Sequence, residues 1–234
     1  MRNDRLRISE HFYSIQGEGA TMGIPSVFIR LQACNILCDA EWTCDTIEVW
    51  KTGEVTSTID WIVMMNQYIK ELKKGAHLIF TGGEPLIQQE AIIYAIKYFK
   101  RVYGFKPFIE IETNGTIKPD YELSKLVDLY NCSFKLKNSG VKYERRIKID
   151  ALKLINEEKS IFKIVVGNDK DYKEAKLIFD EVGIKAEKIW LMPPGDNIND
   201  LNKNSIEVAK ICKRETLNFS TRLQIILWNK TTGV

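Results

Sequence analysis

Histidine is nearly absent from this chain of 234 residues, with two in all, and cysteine is sparse, with five. No run of 18 apolar residues occurs, which argues against a membrane-spanning helix. The start, MRNDRLRISE, is charged where a secretory signal needs an apolar stretch, so a soluble, cytoplasmic protein is expected. The charge imbalance is small, +3 from 34 basic and 31 acidic residues, too small to argue for nucleic acid. The one locally basic stretch, KLKNSGVKYERRIK at 135–148, reads as a solvated loop and helix face. Internal repeats, low-complexity tracts and Pro/Gly-rich linkers are missing as well, so nothing divides the chain. A single domain over 1–234 is the expectation, with a hydrophobic fraction of 44% that suffices for a sizeable core.

The cysteines that are present are unevenly placed. Cys34, Cys38 and Cys44 fall in ACNILCDAEWTC, with no fourth cysteine or histidine nearby. This is not the spacing of a disulfide framework. A structural zinc wants four ligands and a closed shell. A [4Fe–4S] cluster also takes four thiolates as a rule, so three leave one iron with an open position. An open position points to catalysis. Cys132 and Cys212 are isolated in apolar surroundings and read as small core residues. His11 and His77 lie at no metal-ligand spacing.

Runs rich in β-branched and aromatic residues predict strands at Ile8–Ser14, Ser26–Leu31, His77–Thr81, Pro107–Glu112, Ser133–Leu136, Ile161–Val166, Lys188–Met192 and Arg222–Leu227. Helical patterns lie between many of them. Over 58–73, Ile59, Ile62, Val63, Ile69 and Leu72 share a face, and Ser57 followed by Asp60 resembles a capping box. Over 88–103 the face is Ile92, Ile93, Ile96 and Phe99; further helices are predicted at 121–130, 148–157, 170–182 and 203–214. Alternating strands and helices imply an α/β fold with right-handed parallel crossovers. A partial (β/α) barrel of about six parallel strands is the expectation, with a doubly wound sheet as the alternative. In either, chemistry gathers where strands end. The cysteine loop, Thr81-Gly82-Gly83-Glu84-Pro85, Glu112-Thr113-Asn114-Gly115-Thr116, Ser133-Phe134-Lys135 and Met192-Pro193-Pro194-Gly195 all fall at such places.

A cysteine triad after one strand and GGEP after the next resembles the radical S-adenosylmethionine enzymes. Within that superfamily the chain resembles the 7-carboxy-7-deazaguanine synthases along nearly its whole length. The matching stretches are FYSIQGEG (12–19), a strand ending in Arg30, the triad ending in Cys-Asp-Thr (44–46), TGGEPL (81–86), IETNGT (111–116), SFKLKNSG (133–140) and a terminal LW…GV (227–234). The triad reads C-x3-C-x5-C where that family usually has C-x3-C-x2-C, and Phe134 stands where it usually has proline. The resemblance implies a [4Fe–4S] cluster whose open iron takes S-adenosylmethionine, reductive cleavage to a 5′-deoxyadenosyl radical, and a family-specific extension at each end of the domain. It further implies Mg²⁺-dependent conversion of 6-carboxy-5,6,7,8-tetrahydropterin to 7-carboxy-7-deazaguanine with loss of ammonia, in queuosine-type 7-deazapurine biosynthesis. A homodimer reduced by a flavodoxin- or ferredoxin-type donor goes with it.

Carried over by position, Cys34, Cys38 and Cys44 would hold the cluster and Thr46 would ligate Mg²⁺. Thr43, Cys44, Asp45, Gly83, Ser133, Phe134 and Lys135 would contact S-adenosylmethionine. Ile15, Gln16, Gly17, Glu18, Arg30, Thr81 and the Val234 carboxylate would contact the pterin. No catalytic side chain is expected beyond these. The chemistry of the assigned residues agrees: Arg30 offers a guanidinium to a carboxylate, and Gln16 and Glu18 can pair with donors and acceptors of a pterin. Gly82 and Gly83, lacking Cβ, let a ligand lie against backbone. Two other functions compete with this one. A glycyl-radical activating enzyme would need a protein substrate, and a non-enzymatic iron–sulfur or zinc module would ignore S-adenosylmethionine.

Overall fold

Strand-forming residues on both sides of the QGEG turn make β1 (Arg5–Ile15) and β2 (Pro25–Leu31) an antiparallel pair in the computed structural model, which describes residues 4–38, 50–229 and 231. A short β3 (Glu54–Ser57) lines the other side of β1. From β2 onward the chain adds strands in one direction. These are β4 (His77–Gly82), β5 (Ile109–Thr113), β6 (Leu129–Cys132), β7 (Ser160–Val165), β8 (Ile189–Met192) and β9 (Asn218–Phe219), each parallel to the one before. In the order β3-β1-β2-β4-β5-β6-β7-β8-β9 the parallel run from β2 through β9 never reverses, so it has no switch point and the doubly wound alternative is excluded. The parallel part is the expected open barrel, with the two-residue β9 added to it.

Nine helices are described: α1 (Thr58–Met65), α2 (Ile69–Lys73), α3 (Gln89–Tyr103), α4 (Tyr121–Ser124), α5 (Tyr143–Arg146), α6 (Ile149–Glu157), α7 (Asp169–Val182), α8 (Ile198–Glu215) and α9 (Leu223–Trp228). The Ser57 hydroxyl caps α1 by accepting from the Asp60 N–H, in line with its spacing, and Asn168 and Asn197 cap α7 and α8 the same way. None of the described helices is long and apolar enough to cross a membrane.

Strand register sorts the side chains onto two faces. Residues paired across a ladder share a face, so Ile29, Phe80 and Ile111 lie together on one side, and Arg30 and Thr81 on the other. The first set is fully buried, with the Phe80 ring 6.5 Å from Trp61 of α1. Glu110, Glu112 and Asn131 fall on the second side, in line with Thr81, and so does Lys163 of β7.

Four expectations need correction. The segment expected as a helix over 121–130 is one turn, α4, followed by β6. Asp128 accepts from the Ile109 N–H and so starts β6 against β5, which moves the strand expected at Ser133–Leu136 back to Leu129–Cys132. The strand expected at Arg222–Leu227 is the helix α9, because Arg222 and Leu223 bond to groups across the barrel mouth and draw the chain off the sheet edge. The helix over 58–73 breaks into α1, a 3-10 turn and α2. It buries Trp61, Met65, Tyr68 and Leu72, while Ile59 and Val63 are 65% and 64% exposed. Two apolar stripes compete there, and the one carrying the larger side chains is buried.

Candidate active site

The mouth of the barrel is built from strand ends and from one loop before β2. After β1 the chain turns through Gln16, Gly17, Glu18 and Gly19. Gln16 closes the turn with its own backbone, its N–H donating to the Ile24 carbonyl and its carbonyl accepting from Gly23. Gly19 has φ +73, a conformation glycine adopts without strain, and a Cβ there would lie 2.9 Å from Ile161. This places the Gln16 and Glu18 side chains inside the barrel.

Gln16 Nε2 donates to Glu110 Oε1 and to Glu112 Oε1, both at 3.2 Å. Glu110 also accepts from Thr21 Oγ1 at 2.8 Å and Asn131 Nδ2 at 3.0 Å, and Thr81 Oγ1 donates to Glu112 Oε2 at 2.7 Å. Glu18 accepts from Lys163 Nζ at 2.5 Å on one oxygen, and from Arg222 Nε at 3.1 Å and Gln224 Nε2 at 2.8 Å on the other. Burial alone would raise the Glu18 pKa, but the Lys163 and Arg222 charges, with hydrogen bonds from Lys163 and Gln224, hold the carboxyl well below the ordinary range. Burial likewise works against the Lys163 charge, and Glu18, Glu112 and Glu110 outweigh it and hold the ammonium above its usual pKa.

Arg30, on the same face as Thr81, is anchored by Glu10 of β1, with Nε donating to Oε1 at 2.6 Å. The guanidinium lies 5.9 Å from the Phe12 ring. Ile15 ends β1, and the Gly17 carbonyl accepts from the Leu223 N–H. Val234 lies outside the described residues.

A second group of residues surrounds the start of the cysteine loop. The Gly83 N–H donates to the Leu31 carbonyl and the Glu84 N–H to the Ala33 carbonyl, so the β4 loop lies directly on the chain leading to Cys34. A Cβ at Gly83 would sit 2.0 Å from the Ala33 oxygen; only glycine fits. Glu84 is fully buried and ties the next strand to this loop, accepting from the Asn114 N–H at 2.6 Å and the Thr113 hydroxyl at 2.8 Å. Its burial pushes its pKa up against those hydrogen bonds.

Cys34 and Cys38 are reduced thiols, half-buried, and the amide of Asn114 donates to Cys34 Sγ at 3.8 Å. Burial, then the Glu84 and Cys38 charges, push the Cys34 thiol up to about 11, with Lys135 and the Ile36 N–H acting the other way. A sulfur in that setting becomes a thiolate when a bound metal supplies the positive charge. Two reduced, half-buried thiols with an amide donor beside one of them suit a cluster. Among the described residues no three His, Cys, Asp or Glu gather as a metal site. Cys44 is outside them, as are Thr43, Asp45 and Thr46.

On the far side, the Ser133 N–H donates to the Thr113 carbonyl at 2.7 Å, and Lys135 Nζ donates to Ser133 Oγ at 3.2 Å. The Phe134 ring points away from the mouth, buried against Phe162 and Phe179, so position 134 can meet a ligand only through its backbone. Cys132 and Cys212 are buried in the apolar core, in agreement with their apolar sequence surroundings.

Sequence reasoning placed Glu112 at a strand end without giving it a role, and missed Glu110, Asn131, Lys163, Arg222, Gln224 and Ser220. A signal exists for three of them. Acids alternating with apolar residues in IEIET, and a lysine within IFKIVV, are foreign to a buried parallel strand unless one face lines a polar cavity.

Comparison with known proteins gives the family and the fold. The model of a 4Fe-4S single cluster domain matches residues 15–133. The chain is 31% identical to a 7-carboxy-7-deazaguanine synthase of Pyrobaculum aerophilum, over 98% of this chain and 97% of the relative. It is 30% identical to that of Halobacterium salinarum, over 96% and 91%, and 32% identical to that of Rhodopirellula baltica, over 97% and 88%. The crystal structure of QueE from Escherichia coli has the same fold, with a TM-score of 0.66 at 21% identity over 94% of each chain.

Proposed function

The chain belongs to the 7-carboxy-7-deazaguanine synthase family, and from that premise we propose that it contracts 6-carboxy-5,6,7,8-tetrahydropterin to 7-carboxy-7-deazaguanine with loss of ammonia. The observation that carries this reading is the pairing of two half-sites at one barrel mouth. Reduced thiols sit beside the Gly82-Gly83 loop, and a ring of amides and carboxylates sits below the QGEG turn.

Cys34 and Cys38, with Cys44, would hold the cluster, and Gly83, Ser133 and Lys135 would face S-adenosylmethionine, together with Thr43–Asp45 and the Phe134 backbone. When bound, the cluster and S-adenosylmethionine supply a carbon-centred radical able to take a hydrogen atom from the substrate. Mg²⁺, assigned to Thr46, belongs to the same proposal.

The protein's own part is to hold the pterin in one orientation. Arg30, kept on the lumen face by Glu10, offers its remaining N–H groups to the substrate carboxylate. Gln16, Glu18 and Thr81 face the heterocycle, whose ring N–H and amino groups need acceptors and whose carbonyl needs a donor. Ile15 and Gly17 bring backbone to it, and the Val234 carboxylate would complete the enclosure. We place this reaction in the cytoplasm, in a homodimer, with a flavodoxin- or ferredoxin-type reductant.

The test is anaerobic reconstitution with iron and sulfide, followed by incubation with S-adenosylmethionine, a reductant and the carboxypterin. Formation of 5′-deoxyadenosine together with 7-carboxy-7-deazaguanine is expected. A colourless protein that retains zinc, or an intact cluster that gives neither product, would overturn the proposal.

A further inference from the structure

Lys163 stands in the middle of β7 between two fully buried apolar residues, Phe162 and Ile164, and is itself 5% exposed. Its Nζ meets Glu18 Oε2 at 2.5 Å and Glu112 Oε1 at 3.7 Å. A lysine in that position is expensive, since a buried ion loses several kcal/mol of hydration and its pairs only partly restore it. Leucine or methionine would satisfy packing alone. The charge therefore answers to the site rather than to the core.

Its neighbours show which need it meets. Glu18, in the turn after β1, and Glu112, in β5, both reach Lys163, and Glu110 lies two residues before Glu112 on the same face of β5. Carboxylates gathered this closely repel one another, and an ammonium placed between two of them offsets that repulsion. Among the remaining partners, Glu112 accepts from the uncharged Gln16 and Thr81, while Glu18 accepts from Gln224 and the Arg222 guanidinium, so Lys163 is a cation that the two carboxylates share.

We propose that Lys163 is a positioning residue that sets the specificity of the mouth, by fixing Glu18 and Glu112 as a pair of hydrogen-bond acceptors for a ligand edge made of N–H donors. This deepens the functional reading above and rests on it for the identity of the ligand: the ring N–H and amino group of a pterin are such an edge. Glu18 has one oxygen on Lys163 and the other on two donors, which leaves one of about four lone-pair positions for the ligand. Lys163 does not touch the ligand; it acts through the two carboxylates.

The experiment is equilibrium titration of 6-carboxypterin, followed by its fluorescence, into the anaerobic holoprotein with S-adenosylmethionine present. It uses the wild type, K163M, E18Q and the double variant. K163M is expected to weaken binding about tenfold or more, and E18Q comparably, while the double variant is no weaker than the worse single one. That non-additivity is what a lysine acting through Glu18 produces and a lysine that only packs does not. If K163M does not fold, K163Q, polar but uncharged, gives the same reading. Wild-type binding by the uncharged variant, or full additivity with E18Q, overturns the proposal. The two readings fail separately. A wild type that turns over while K163M binds normally sinks only the role of Lys163. A wild type whose 6-carboxypterin binding depends on Lys163 but that forms no deazaguanine sinks only the assigned reaction, and one that neither binds nor turns over sinks both.

Discussion

The two faces of the sheet are made from the same strands, one residue apart, and follow opposite rules. Phe80, Ile111 and Phe162 point under the helices and are completely buried in an apolar cluster. Thr81, Glu112 and Lys163, their immediate neighbours in sequence, point into the lumen and are joined by hydrogen bonds and ion pairs. A parallel sheet is usually apolar on both sides, because helices cover both. Here only one side is covered by helices. The other carries polar side chains that bond to one another, so it can hold charges that a packed apolar core would reject. Stability and recognition are thus assigned to alternate residues.

Four experiments would break or sharpen that contrast. The largest effect is expected at the strand-end loop that the lumen face serves: Cys34→Ala should remove the cluster altogether, with iron content and visible absorption at background. A cluster that persists would place the ligand elsewhere. Next come Phe80→Ala and Thr81→Val, adjacent residues on opposite faces. The first should cost about 3–5 kcal/mol of stability in chemical denaturation and leave the pterin affinity of the folded fraction unchanged. The second should cost about 1 kcal/mol, by leaving a Glu112 oxygen short of a donor, yet weaken pterin binding about tenfold. Equal loss of affinity in both variants would mean that the faces do not act separately.

A smaller change is expected from Cys132→Ser. It buries a hydroxyl where the thiol is 0% exposed, and should cost about 1–3 kcal/mol with iron content unaltered. Reduced iron loading would contradict the core assignment. The smallest effect is a pH slope. The Glu18 carboxyl is held below its ordinary value of 4.5, so its ion pair stabilises the fold fully above that value and progressively less as pH falls below it. Between pH 6 and pH 4 (about the range where an unfolded carboxylate begins to protonate) urea denaturation should show wild type losing more stability than Glu18→Gln. Parallel slopes would show that Lys163 and Arg222 do not depress this carboxyl.

Much of this arrangement is legible in the amino-acid sequence. The cysteine spacing, the glycine pair and the QGEG turn are signals of residue type within a few positions of each other, readable without knowing what they meet in the fold. The helices α3, α6 and α7 are equally plain, since each carries one dominant apolar stripe. What is not legible depends on partners far along the chain. The run LQIILW suits a strand or a helix by composition, and only Arg222 reaching Glu18 and the Gly195 carbonyl decides for the helix. The buried stripe of α1 is ambiguous in sequence because Ile59 and Val63 form as regular a pattern as Trp61 and Met65, and the sheet chooses between them. Glu112 and Lys163 stand out as anomalies, but that they meet is a matter of barrel curvature.

The turn that carries Gln16 and Glu18 is latched by the last described part of the chain: Ser220 receives the Gly19 N–H, Leu223 donates to Gly17, and Arg222 and Gln224 hold Glu18, across separations of 201 to 206 residues. During synthesis this turn emerges early and must wait for almost the entire polypeptide before its geometry is set. A chain cut just before Ser220 would keep β1 through β9 and their hydrophobic cluster yet leave the latch undone, a shell unable to grip its substrate.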